Sequence, residues 1–254
     1  MRFDSFIPID RLKPYISHFV ISEKNHESVY KVFPGTSLVI GIQYGGSLKT
    51  GKTGIETNLS TAGITGIADE VKLFSNSAHI GTILIYFTEL GLAHFTSCPA
   101  NELFNLNVSL ENIFEKQKIL DIEDKLGSAT TDQERIRLVE LFLLSQLKDS
   151  KTDKLIIEAV RLIYQAKGAI RIRALNQRLM ISQSPFEKRF RKLVGTTPKK
   201  FASIVRFNTV LSQLNGSRSL MDICFENNFF DQAHFSKDFK AYTGESPETF
   251  RRFY

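Results

Sequence analysis

Apolar residues recur along this chain with two different periods, and the change from one to the other divides it. Up to residue 87 they fall in short runs, SLVIGIQYGG and HIGTILIYF, bounded by Gly35 before the first and Gly45 and Gly46 after it. Runs of β-branched and aromatic residues between turn formers predict strands. The stretch between them, GKTGIETNLSTAGITG, is dense in Gly, Thr and Ser and predicts short strands joined by tight turns. An all-β sandwich or barrel suits this part best.

From Thr88 the spacing becomes helical. ELGLAHF is a short helical candidate, another helix begins near SLENIF, and Asp132 is a plausible N-cap for QERIRLVELFLLSQLK. In that last segment Ile136, Val139, Leu143 and Leu147 share one stripe, which must be buried either on its own domain or on a second copy of the chain. The polar run from Lys148 to Asp153 reads as a linker, with the boundary near residue 151. Beyond it Asp153 caps, and Gly168 ends, a helix whose apolar positions are Ile156, Ile157, Val160, Ile163 and Tyr164.

The remainder contains one small helical unit twice. Sliding Leu220–Phe250 back by forty-nine positions makes seven pairs identical: Gln183/Gln232, Phe186/Phe235, Lys188/Lys237, Phe190/Phe239, Gly195/Gly244, Pro198/Pro247 and Phe201/Phe250. Each copy reads as helix, tight turn, helix, over about residues 171–194 and 220–243. Ser182 and Asp231 are equivalent N-cap candidates; Ser184, with Pro185 and Glu187 behind it, is a competing cap. Asn228 takes the turn, where a left-handed residue is tolerated. The second helices bury Phe186, Phe190 and Leu193, or Phe235, Phe239 and Tyr242. Their outward positions are Gln183, Ser184, Glu187, Lys188, Arg191 and Lys192, or Gln232, Ala233, Ser236, Lys237 and Lys240, with His234 at the edge. Such a face is either merely solvated or supplies hydrogen bonds to base edges and charge to phosphates.

Charge favours the second choice. The chain carries 33 Lys and Arg against 27 Asp and Glu, a net +6, but residues 151–254 hold +10 and residues 1–150 hold −4. A basic helical half points to a polyanion partner. Two distant cysteines, Cys98 and Cys224, without CxxC or His spacing, predict reduced thiols rather than a disulfide or zinc site. No export signal or membrane-length apolar run is read, so the expected compartment is the cytoplasm.

The segments ISQSPFEKRFRKLVGTTPKKF and FFDQAHFSKDFKAYTGESPETFRR resemble the C-terminal DNA-binding domain of the AraC/XylS transcription regulators, over about residues 152–253. Asn228 stands where the family usually has Gly, and Pro185 beside Ser184 is a second departure. The resemblance implies an α+β chain of two domains. Residues 1–150 are a β-rich, cupin-like barrel with trailing helices, for sensing or oligomerisation; residues 151–254 are an all-α domain with two helix-turn-helix units. It implies seven helices, with a connecting helix over about Pro198 to Leu214, roughly 25 Å long, setting two recognition helices about one DNA turn apart. Base reading falls on Ser184, Glu187 and Lys188, and on Gln232, His234 and Lys237. Phosphate contact falls on Arg171, Arg191, Lys192 and Lys240. The motif's structural residues are Phe186, Phe190, Gly195, Pro198, Phe235, Phe239, Gly244 and Pro247. The implied partner is double-stranded DNA, with a small-molecule effector, RNA polymerase and a second copy of the chain as further candidates; no cofactor, metal or membrane is implied.

In the first half, Phe33, Ile40, Ile42, Tyr44, Ile83, Ile85 and Phe87 are either a packed core, the favoured reading, or the lining of an effector cavity. His18, His26, His79 and His94 are scattered without HxH spacing, and nothing beside Cys98 activates it as a nucleophile. A non-enzymatic regulator is therefore expected. The alternatives are a first half that only dimerises or binds a protein, and a β-barrel enzyme fused to a DNA-binding domain.

Overall fold

The computed structural model describes residues 2–52, 55–214, 218–227, 229 and 231–253. Its strands are β1 (Arg2–Phe6), β2 (Ile16–Lys24), β3 (Ser28–Val32), β4 (Val39–Gly45), β5 (Leu48–Lys52), β6 (Ile55–Asn58), β7 (Ala62–Thr65), β8 (Lys72–Asn76), β9 (Ile80–Phe87) and β10 (Asn107–Ser109). Among the described residues the ladders form two antiparallel sheets, β1-β2-β9-β4-β7-β10 and β3-β8-β5-β6, and do not close into one cylinder.

Nine helices follow among the described residues: α1 (Lys116–Ser128), α2 (Asp132–Gln146), α3 (Lys154–Gln165), α4 (Ile172–Arg178), α5 (Gln183–Val194), α6 (Pro198–Leu214), α7 (Leu220–Glu226), α8 (Gln232–Thr243) and α9 (Pro247–Phe253). The chain is thus α+β, with a β-rich first half and an all-α second half of seven helices. Two helix starts differ from expectation. SLENIF makes only a 3-10 turn at Leu110–Asn112, whose first turn the Ser109 hydroxyl caps, and α1 begins at Lys116. The cap of α2 is Thr131, whose hydroxyl accepts from the Glu134 N–H at 3.2 Å while the Glu134 carboxylate accepts from the Thr130 N–H at 3.0 Å. Asp132 lies inside the first turn and pairs with Arg2 and Arg135.

Strand parity decides which face is core. On β4 and β9 the residues Ile40, Ile42, Ile83, Ile85 and Phe87 are buried in one cluster with Ile119 and Ile122 of α1 and Val139 and Leu143 of α2. The stripe of α2 is therefore buried within its own half, and Leu147 falls just past its end, half-buried.

A second cluster fills the helical half, and it is shared. Ile67, from the loop after β7, is buried in it, with Phe33, Leu90 and Phe104 packed against it. Polar contacts follow the same seam: Lys200 pairs with Asp69 at 2.9 Å and Lys31 pairs with Glu245, while Phe33 meets Phe250 edge-on at 5.3 Å. Tyr164 was expected on the apolar stripe of α3. Its hydroxyl instead donates to Glu89 at 2.5 Å and lies 2.9 Å from the Thr36 hydroxyl. Ile157, from the same expected stripe, is 44% exposed. The linker too is anchored: the Lys148 N–H donates to the His94 carbonyl at 2.7 Å, and the Ser150 hydroxyl lies 2.8 Å from His94 Nδ1.

Candidate nucleic-acid interface and cavity

The first repeat unit is α4, a four-residue connection and α5. Met180 turns the chain with φ 49°, the left-handed region. Ser182, extended at φ −71° and ψ 156°, occupies the cap position of α5 without a side-chain hydrogen bond. The competing cap at Ser184 is not used: Ser184 and Pro185 sit in the first helical turn, where a proline's missing N–H is harmless. Phe186 and Phe190 are buried as expected, but the stripe ends on buried Val194, and Leu193 is only half-buried.

Both recognition-type helices stop in the same way. At the end of α5, Gly195 has φ 103° and its N–H donates to the Arg191 carbonyl at 2.9 Å; at the end of α8, Gly244 has φ 80° and donates to the Lys240 carbonyl at 2.8 Å. A left-handed residue here costs an L side chain about 1 kcal/mol, which is why glycine recurs. Pro198 and Pro247, both buried, then open α6 and α9 at the position where proline fits a helix. In the second unit α7 is capped by Ser219, whose hydroxyl accepts from the Asp222 N–H at 3.0 Å. Phe235, Phe239 and Tyr242 are buried on α8. Asn228 and the His234 side chain lie outside the described residues. Between the units, α6 runs 17 residues, roughly 25 Å of helix.

Some basic side chains of this half are held by carboxylates. Arg189 makes three hydrogen bonds to the Asp153 carboxylate at 2.7 to 3.0 Å. Arg206 pairs with Asp238 at 3.3 Å and Arg218 with Glu226 at 2.6 Å. Others are not, among them Arg171, Lys188, Arg191, Lys192, Lys237 and Lys240. All six are exposed, and no carboxylate among the described residues pairs with any of them. Gln183, Ser184, Gln232 and Ala233 are exposed beside them, whereas Glu187 and Ser236 are half-buried.

The first half contains a cavity of about 950 Å³ between the two sheets. Val39, Gly41 and Gln43 of β4, Thr82, Leu84 and Tyr86 of β9, and Phe74 of β8 line it. These are the alternate positions to those considered as lining: of that set only Phe33 reaches the cavity, and the isoleucines and Phe87 point into the dry core with α1 and α2. Asn208 and Leu211 of α6 complete the wall. The sequence reading missed both, because only the packing of the two halves brings them there; their sole sequence signal is a place on the helix between the two repeats.

Both cysteines are free thiols, and burial raises the pKa of each, with Glu102 adding to the effect at Cys98 and Asp231 at Cys224. Among the described residues, no helix is long and apolar enough to cross a membrane.

A helix-turn-helix domain model matches residues 175–252, and a model for a domain of unknown function, DUF6597, matches residues 4–109. The chain is 32% identical over 119 residues to the Msm operon regulatory protein of Streptococcus mutans serotype c; the match takes 45% of this chain but only 43% of that relative. Among solved structures, ToxT from Vibrio cholerae aligns over 99% of this chain and 98% of its own at 9% identity and a TM-score of 0.49. The AraC-like transcriptional activator CuxR aligns over 83% and 79% at 14% identity and a TM-score of 0.32. With two helix-turn-helix units joined by α6 and a matching domain model over residues 175–252, the second half of the chain is a helix-turn-helix domain, and the chain spans less than half the length of the curated relative it matches.

Proposed function

We propose that the chain is a sequence-specific, ligand-responsive DNA-binding regulator with no catalytic activity of its own. The observation that carries this reading is that Lys188, Arg191 and Lys192 on α5 and Lys237 and Lys240 on α8 are all exposed and that no described carboxylate pairs with any of them, whereas Arg189 of α5 is held by Asp153. An exposed, unpaired Lys or Arg is what phosphate neutralisation requires. In this reading Ser184, Glu187 and Lys188 of α5 and Gln232, His234 and Lys237 of α8 face base edges. Arg171, Arg191, Lys192 and Lys240 hold the backbone.

The functional division falls near residue 151, with sensing before it and DNA binding after it. The cavity favours sensing over a purely oligomerising role, since its wall includes Asn208 and Leu211 of the helix that joins the two units. A ligand there touches both halves at once and thereby biases how the two recognition helices are set. Double-stranded DNA is the main partner, with RNA polymerase and a second copy of the chain as further candidates.

Selecting bound sites from random DNA with the full-length chain tests the reading. Enriched sequences should contain two short motifs about one helical turn apart, roughly 10 bp. Recovery of no enriched motif, or of a single motif with a random flank, would overturn the two-unit reading.

A further inference from the structure

The charge inventory of the cavity wall is one-sided. Among the described residues lining it there is no Asp or Glu, but there are two lysines, Lys31 and Lys72. Lys31 is engaged by Glu245 across the seam between the halves. Lys72, at the start of β8, is different: its ammonium donates to the Leu106 carbonyl at 3.3 Å and the Asn107 Oδ1 at 3.2 Å, both neutral. Among the described residues no carboxylate makes an ion pair with it. A half-buried ammonium satisfied only by neutral oxygens has lost hydration without gaining a counter-charge. Its depressed pKa, about 8 through desolvation, with Glu70 acting against the shift, agrees with that geometry. Around it the wall offers aromatic surface from Tyr30, Phe74 and Tyr86 and a hydroxyl from Thr65.

We propose that the cavity takes a small organic anion with an apolar body, whose acid group is held by Lys72 and whose body lies against the aromatic side chains between the sheets. This rests on the reading of the cavity as a ligand site. The anion supplies the close ion-pair partner that no described carboxylate gives Lys72, and a neutral ligand of the same shape leaves the ammonium as it was. Asn107 is then a positioning residue: its Oδ1 accepts from Lys72 and, at 3.0 Å, from the Thr65 hydroxyl, which fixes where the ammonium sits.

Two fluorescent probes of similar size test this on the full-length chain: 1-anilinonaphthalene-8-sulfonate, an anion, and N-phenyl-1-naphthylamine, its neutral counterpart. The anionic probe should bind at least about tenfold more tightly than the neutral one, a ratio typical of one charge-assisted contact. Lys72→Met should abolish that preference while retaining the neutral probe, and Lys72→Arg should preserve it. Val39→Trp, which fills the cavity from β4, should expel both probes. Equal affinity of the two probes for the unaltered chain, or an anion preference that survives Lys72→Met, overturns the proposal and leaves the cavity standing as a site. Binding of neither probe, or binding indifferent to Val39→Trp, overturns the ligand-site reading and the proposal with it.

Discussion

Lys192→Ala isolates the electrostatic part of DNA binding. The side chain is exposed near the C-terminal end of α5 and makes no ion pair among the described residues, so its removal should change fold stability by less than about 0.5 kcal/mol. If it neutralises one phosphate, the slope of log K against log salt falls by about 0.9. Between 50 and 200 mM salt that slope is worth a factor of roughly 3.5 per contact. The four positions assigned to phosphate together account for a slope of about 3.6. The assay is fluorescence anisotropy on a selected site at several salt concentrations. Arg189→Ala is the control: it lies on the same helix, but its guanidinium is spent on the Asp153 cap of α3. That variant should lose about 1 kcal/mol of stability and keep the slope. An unchanged slope in Lys192→Ala, or a changed preferred sequence, refutes the assignment.

Lys237→Ala should weaken binding to the selected site by about 1–3 kcal/mol and relax preference at one base position; uniform weakening over all sequences, seen by repeating the selection, would make it a phosphate contact instead. Gly168→Ala should cost at least about 3 kcal/mol in denaturant unfolding, because φ is +76° and a Cβ there would sit 2.1 Å from the Ala202 carbonyl oxygen and 2.6 Å from the Arg206 nitrogen, prising α3 off α6. For Lys72, desolvation lowers the folded pKa to about 8, below the ordinary lysine value of 10.5. The unfolded chain therefore binds more protons in that window, and stability rises with pH from about 8 to 10.5. The ceiling is about 3 kcal/mol, and water reaching the cavity reduces it to about 1 kcal/mol. Lys72→Met should be more stable than the unaltered chain near pH 7, with the advantage shrinking by pH 10; a difference flat across that range excludes the desolvation account.

Legibility tracked how local each signal was. The repeat and the length of α6 are written in residues within a few turns of one another. Phe186, Phe190, Phe235 and Phe239 were therefore readable from spacing alone, and Gly195 and Gly244 stood out because the repeat keeps them. The cap of α2 slipped by one residue because Thr131 and Asp132 are both capable of capping, and only the extended backbone at Thr131 decides between them. Tyr164 and Ile157 share the period of the α3 stripe, but a period of 3.6 marks a broad face and not its edges, and both lie at the edge.

The cavity was illegible for a different reason, which also bears on how the molecule works. β4 and β9 are covered on both faces, so each carries two interdigitated sets of residues, and sequence ranks the sets by hydrophobicity without saying what covers them. The more apolar set, Ile40, Ile42, Ile83 and Ile85, was the natural candidate for an interior, and it is one: the dry interior shared with α1 and α2. A close-packed layer of that kind has no room for a ligand. The set with Gly41, Gln43 and Thr82 supplies less side-chain bulk and more hydrogen-bonding groups, and it is this face that leaves a void. The same two strands thus separate a close-packed layer from a cavity. Because Asn208 and Leu211 of the helical half line the cavity, a ligand bound there under the proposed reading acts on α6 without first deforming the packed core. Variants of Asn208 that retain DNA affinity but lose a ligand's effect on it would place the coupling at this wall, and unaltered coupling would send it through the seam at Lys200–Asp69 instead.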